Sequence, residues 1–210
     1  MRPAFSAEEV VALRSAMVGW QTGGRTAEDN SFRQLLCDYV EFLLLTGCRH
    51  GTEAMGVSWQ HCEWYAADGV KYLRIWVDGK TGGRWLIAKH ELAAVLQRLH
   101  SRQRDIAGKG FDSVLGRHKG WLFRTEDGRR PYSFNGLFRR LLRHAELLEN
   151  NAGATRTLYS LRHTYATAEL LAGTDIHTVA RQMGTSVLML ERHYSKLTVM
   201  MRASMLIRTN

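Results

Sequence analysis

Between residues 32 and 46 the apolar positions Leu35, Leu36, Tyr39, Val40, Leu43 and Leu44 recur at three- and four-residue intervals, the spacing of one helix face. This pattern predicts a helix from Phe32 to Thr46, with Gly47 as its C-cap. Upstream, Ser6-Ala7-Glu8-Glu9 reads as a capping box opening an amphipathic helix to about Trp20. Gln21 to Asn30, rich in glycine and polar residues, reads as a loop. Three runs predict strands: Trp59 to Tyr65, Val70 to Val77, and Arg84 to Ala88. They are joined by Asp68-Gly69 and by the glycine-rich stretch Asp78 to Gly83, both hairpin signals. Helical spacing returns from His90 to about Arg104, whereas Gly108 to Gly120 reads as a polar, basic and mobile loop. Ser133 is expected to cap a helix to Ala145 that carries Arg139, Arg140 and Arg143 on its surface. After a loop at Asn150 to Arg156, Leu158 to Leu171 is helical and ends at Gly173. Thr174 then caps a short helix to Met183, closed by Gly184. Ser186 to about Tyr194 adds another turn or two, and Val199 to Ile207 forms a last amphipathic piece. The sum is an α+β chain, mainly helical, with one small three-stranded antiparallel sheet and no internal repeat.

Length allows one well-buried core, and no linker divides residues 1–210, so a single domain is expected. The formal charge of +9, with a pI near 9.8, favours a polyanionic partner. Three cysteines with no CxxC pairing argue against a disulfide framework and fit a reducing cytoplasm. Cys48, His50, His61 and Cys62 lack the paired knuckles of structural zinc sites, so neither a metal nor another cofactor is expected. The longest apolar block, Phe42 to Leu45, is far too short for a membrane span, and no secretory leader precedes Glu8 and Glu9.

Several residues carry the chemistry that a polyanion would call for. A phosphodiester resists attack because its oxygens repel nucleophiles and its leaving alkoxide is poor, so cleavage needs fixed cations, a nucleophile, a base and an acid. Tyr159 and Arg162 stand at i and i+3 on one helix face, and Arg49 follows the helix end at Gly47. Arginine suits a phosphate clamp, being always charged and able to bind two oxygens at once. The plainer reading of Tyr159 and Arg162 is a core tyrosine beside an exposed arginine. Tyr194, ten residues after Gly184, is either a core aromatic or a nucleophile. Lys80 at a hairpin tip is either solvated or a mobile general acid. Glu53 either orients Arg49 or caps the turn after it. His163 and His193 fit structural roles.

Taken in order, these pieces resemble the catalytic domain of tyrosine recombinases, the phage-integrase family, over nearly the whole chain. Thr46-Gly47-Cys48-Arg49 is similar to the family's first-arginine box, with Glu53 near its acidic position. Gly79-Lys80-Thr81-Gly82 is similar to the hairpin that carries its lysine. Leu161-Arg162-His163-Thr164-Tyr165-Ala166-Thr167 is similar to the second-arginine box, and His193-Tyr194 to the nucleophile box. There are three departures. Glu53 lies four residues after Arg49 instead of three, Tyr159 stands where the family has His, and Thr185 stands where it has His or Trp.

The resemblance implies site-specific recombination of double-stranded DNA, as in integration and excision, through a 3′-phosphotyrosyl intermediate. In that chemistry Tyr194 is the nucleophile, Arg49 and Arg162 clamp the phosphate, Lys80 is the general acid, and Tyr159 and Thr185 assist by hydrogen bonding. It also implies a homotetramer on DNA in a bacterial or phage-derived, cytoplasmic protein without membrane contact, with the tail from about residue 196 either docked on a neighbour or packed as a closing helix on its own domain. The family's amino-terminal core-binding domain has no counterpart here, so an isolated catalytic domain or a minimal recombinase is expected. The alternatives are a type IB topoisomerase, which shares the chemistry, and a basic DNA-binding domain that does not cleave.

Overall fold

A computed structural model describes residues 3–79 and 82–192 of the chain. Lys80, His193, Tyr194 and the expected amphipathic stretch Val199 to Ile207 lie outside the described residues.

The first helix, α1 (Ala7–Trp20), starts at the expected capping box: Ser6 Oγ accepts from Glu9 N at 3.1 Å, and Glu9 accepts from Ser6 N at 2.8 Å. The second, α2 (Ala27–Thr46), is the central helix, packing against α4 (Leu92–Arg102), α6 (Asn135–His144) and α7 (Leu158–Leu171). It begins inside the segment expected to be a loop. Thr26 caps it by accepting from Asp29 N, and its first turn is too polar (Glu28, Asp29, Asn30) to show an apolar stripe. It ends as predicted at Gly47, whose φ of 65° is left-handed. A side chain there would also strike the Tyr165 ring, since a Cβ would sit 2.3 Å from Cδ1.

The sheet has the order β1-β2-β3, all antiparallel, from β1 (Cys62–Ala67), β2 (Val70–Val77) and β3 (Arg84–Ile87). Register pairs Tyr65 with Tyr72 and Trp76 with Trp85. Strand β1 starts three residues later than expected, because Trp59–His61 forms a 3₁₀ turn. That turn buries Trp59 completely and lets its indole N–H donate to Gln103 Oε1 at 2.9 Å.

The expected mobile loop at 108–120 is instead anchored. It contains α5 (Phe111–Val114), buries Val114 and Leu115, and bonds Gly116 N to Trp59 O and Gln60 N to His118 O. Phe111, Val114 and Leu115 have i, i+3, i+4 spacing, a short helical signal hidden among glycines and charges. Ser133 does bond Asn135 N at 3.1 Å, but Phe134 occupies the N-cap of α6. Likewise Asp175, not Thr174, caps α8 (Ile176–Met183) by accepting from Thr178 N. Between Arg49 and the sheet lies the single turn α3 (Thr52–Met55). Residues 187–192 are helical, as expected.

One large core surrounds α2, and a smaller one joins Tyr165, Ala166 and Leu170 of α7 to Val179, Ala180 and Met183 of α8. Because α8 also packs on β3, the end of α8 is wedged between the sheet, α7 and the end of α2. Among the described residues no helix is long and apolar enough to cross a membrane.

Candidate active site

Two glycines set the geometry. Gly47 closes α2 and Gly184 closes α8, both in the left-handed conformation, with φ of 65° and 63°. A C-terminal helix end exposes carbonyls without intrahelical partners and carries partial negative charge. Here those carbonyls hold guanidinium groups. Arg162, in the second turn of α7, donates to Gly47 O at 2.7 Å and to Met183 O at 2.6 Å. Arg49 donates to Gly184 O. The Gly47 turn thus supplies a carbonyl to Arg162 and the Gly184 turn supplies one to each arginine, which brings the two cations side by side. Burial and the neighbouring Arg49 charge push Arg162 below the usual arginine range.

Glu53 on α3 is the counter-charge, with a side chain only 2% exposed. Both readings of it from the sequence are realised. It orients Arg49 through an ion pair with Nη1, and it accepts from Arg49 N at 3.1 Å as a turn cap. A third contact was not foreseen: Arg84, the first residue of β3, grips both carboxylate oxygens at 3.0 and 2.8 Å. Burial alone would push this carboxyl up. The bonds from Arg84 and Arg49 outweigh it and hold the group down at about 2, from an ordinary 4.5. A carboxylate displaced this way stabilises the fold above pH 4.5 and loses that contribution as pH falls toward 2. The full displacement corresponds to about 3 kcal/mol. Glu53→Gln is therefore expected to be less stable at neutral pH and to show a flatter loss of stability between pH 4.5 and 2, read by urea denaturation at each pH. Equal slopes for the variant and the parent would remove Glu53 from the acid transition.

Tyr159, Arg162, His163 and Thr185 line one small cavity of about 40 Å³, floored by Met183 and Leu190. The structure thus brings three of the predicted site residues, Tyr159, Arg162 and Thr185, to one place, with Arg49 bonded to the carbonyl just before Thr185. Tyr159 is 36% exposed, which contradicts the plain reading of a core tyrosine, and Arg162 is 4% exposed, which contradicts that of a surface arginine. The Tyr159 ring meets His163 edge-on at 5.1 Å. Of the remaining candidates, Lys80 follows Gly79, where a Cβ would lie 2.7 Å from Glu53 Cγ. The base of that hairpin therefore packs on the counter-charge of the arginine pair. Tyr194 lies two residues past the described helical turn at 187–192.

No protein-family model matches the sequence, and no curated protein matches it. The architecture, however, is well represented among solved structures. Its fold is that of the catalytic domain of tyrosine recombinases. The XerH site-specific recombinase, in a post-cleavage complex with palindromic difH substrate, superimposes with a TM-score of 0.67 at 15% identity, covering 98% of this chain and 53% of that one. The XerA recombinase gives 0.64 at 19% identity over 100% of this chain and 66% of that chain. The catalytic domain of bacteriophage HP1 integrase gives 0.57 at 15% identity and matches nearly end to end, with 99% and 96% covered. The chain spans about half the length of the XerH recombinase it matches.

Proposed function

We propose that the protein breaks and rejoins double-stranded DNA at specific sites through a covalent phosphotyrosyl intermediate. The observation that carries this reading is the pairing of Arg49 and Arg162 by the crossed glycine turns, beside a cavity that Tyr159 and Thr185 share. Solved structures with this fold support it, among them XerH on difH substrate and the Tn1549 transposon integrase on circular intermediate DNA.

In the proposed reaction the phosphate bridges the two guanidinium groups, which neutralise charge building on its non-bridging oxygens. The Tyr194 oxygen attacks phosphorus as its proton leaves to solvent, and the bond from phosphorus to the 5′-oxygen breaks. The electron pair stays on that oxygen, which takes a proton from the Lys80 ammonium. The products are a 3′-phosphotyrosyl link and a free 5′-hydroxyl, and reversal of the same steps on a new 5′-hydroxyl completes strand exchange. Tyr159 and Thr185 donate hydrogen bonds to the phosphate; Tyr159 replaces an imidazole with a phenol, a poorer base at neutral pH. The bond energy is retained in the covalent link, so no nucleotide cofactor is consumed. Assembly as a tetramer on two duplexes belongs to the same proposal.

The test is a denaturing gel after incubation with a pool of nicked duplexes of randomised sequence. A protease-sensitive, SDS-resistant adduct on the 3′ end is expected. Tight duplex binding without any adduct would favour a non-cleaving DNA-binding module. Relaxation of single plasmids without synapsis would favour a topoisomerase.

Lys80 can be tested separately. A 5′-bridging sulfur leaves readily without a proton, so Lys80→Ala is expected to cleave that substrate far better than its oxygen counterpart. Equal impairment on both would assign Lys80 to binding.

A further inference from the structure

Arg84 makes four hydrogen bonds at the site, and nothing in the reaction just described uses it. All three of its guanidinium nitrogens are engaged. Nη1 and Nη2 take the two Glu53 oxygens at 3.0 and 2.8 Å, Nε donates to Gln182 O at 3.2 Å, and Nη2 donates to Met183 O at 2.9 Å. The backbone is shaped around it: a Cβ on Gly184 would fall 2.5 Å from Arg84 Cζ. Arg49 shares Glu53 Oε1 with it and is the more exposed of the two, at 26% against 14%.

A buried carboxylate needs a fixed counter-cation, and losing its only partner is costly. Glu53 has two arginine partners. One, Arg84, is committed to the end of α8 as well, so it remains in place whatever happens at the cavity. The other, Arg49, can then leave Glu53 without stranding a bare charge. Counting Arg49, Arg84 and Arg162 against Glu53, the cluster carries a net +2 toward a phosphate; without Arg84 it carries +1, and Arg49 is the guanidinium left on Glu53.

Resting on the strand-cleaving reading above, we infer that Arg84 is a positioning residue: by holding Glu53 against β3 and the end of α8, it frees Arg49 to exchange the carboxylate for a phosphate oxygen. Arg84 does not touch the DNA in this scheme. It acts through Glu53, and it fastens the lysine-bearing hairpin to the same carboxylate.

The experiment uses the full chain and three variants: Arg84→Met, Glu53→Gln, and the two combined. At saturating nicked duplex, Arg84→Met is expected to slow adduct formation roughly tenfold to a hundredfold, the scale of a small misplacement of a reacting group. Duplex affinity should stay near that of the parent. Adding Glu53→Gln should then speed the reaction up to the Glu53→Gln level, because the charge that captured Arg49 is gone. A mere structural brace gives the opposite result, a double variant no faster than Arg84→Met, and that outcome overturns the inference, as does a parental rate for Arg84→Met. Arg84→Lys, which keeps the charge and loses the fork, should fall between parent and Met variant and serves if the Met variant folds poorly. A second measurement stands apart from cleavage. The ¹⁵N signals of the Arg49 guanidinium should shift when duplex is added to the parent and stay unmoved in the Arg84 variant. Equal shifts in both overturn the inference whether or not DNA is cut. The differential shift without any adduct would instead overturn strand cleavage and leave the role of Arg84 standing.

Discussion

Tyr194→Phe is expected to yield no covalent protein–DNA adduct at all, while folding and binding duplex DNA as the parent does. The substitution keeps the ring and removes only the oxygen that would attack phosphorus, so there is no weaker nucleophile left on that side chain. Affinity should survive because it comes from the many basic side chains that displace counterions from phosphates, and it should fall steeply with salt in both proteins. The informative control is the identity of the modified peptide in the parent. Tyr165 is a poor substitute: it is 7% exposed, its ring lies against Gly47, and burial pushes its hydroxyl above the usual range. Tyr159 is the real competitor, since it is 36% exposed and lines the cavity with Arg162. Adduct persisting in Tyr194→Phe, with the label mapping to the peptide of Tyr159, would sink the assignment of the nucleophile and leave the clamp intact.

Arg162→Ala is expected to be damaged twice. In catalysis, loss of one arm of the clamp should cost about 3 kcal/mol or more of transition-state stabilisation, roughly a hundredfold or more in single-turnover adduct formation. In stability, it should also lose about 1–3 kcal/mol for each buried acceptor left without a donor. The acceptor at stake is Gly47 O, since Met183 O keeps its bond from Arg84 Nη2 when the Arg162 nitrogen is lost. Arg162→Lys should rescue little, because one ammonium cannot span two carbonyls and a phosphate as a planar fork does. Arg49→Ala provides the contrast. Its side chain is 26% exposed, so it should lose cleavage to a similar degree and stability to a smaller one. Single-turnover rates and urea midpoints on the same preparations separate the two effects. A lysine variant cleaving at the parental rate would remove bidentate clamping from the mechanism.

What was legible in the sequence was what local chemistry writes down. The left-handed caps at Gly47 and Gly184, the Ser6 capping box and the Asp68-Gly69 hairpin depend on a few adjacent residues, and each stands where the pattern placed it. Arg49 and Thr185 could be named because they sit beside two of those caps, and Tyr159 and Arg162 because they share a short box at the start of α7, all four with roles implied by the family resemblance. Arg84 could not be. Its partner Glu53 is 31 residues away and its carbonyl partners are 98 and 99 residues away, so only the folded chain relates them. The start of α2 was hidden for a different reason, since a polar first turn has no apolar period to detect. The stretch at 108–120 was misread because glycines outvoted three well-spaced apolar residues that anchor it.

The crossed glycine turns also have a consequence for how the chain folds. Arg162 reaches Gly47 across 115 residues and Arg49 reaches Gly184 across 135, separations that span most of the described chain. Contacts so distant in sequence carry a high loop-closure entropy and form after local helices and hairpins are in place. During synthesis from the amino terminus, residues 1–183 can emerge and collapse with Arg49 still lacking its Gly184 carbonyl and with α8 unclosed. A nascent chain that stops short of Gly184 therefore carries phosphate-attracting charge before its arginines are paired, and under the proposed reaction any strand cutting must wait for the residues that follow α8.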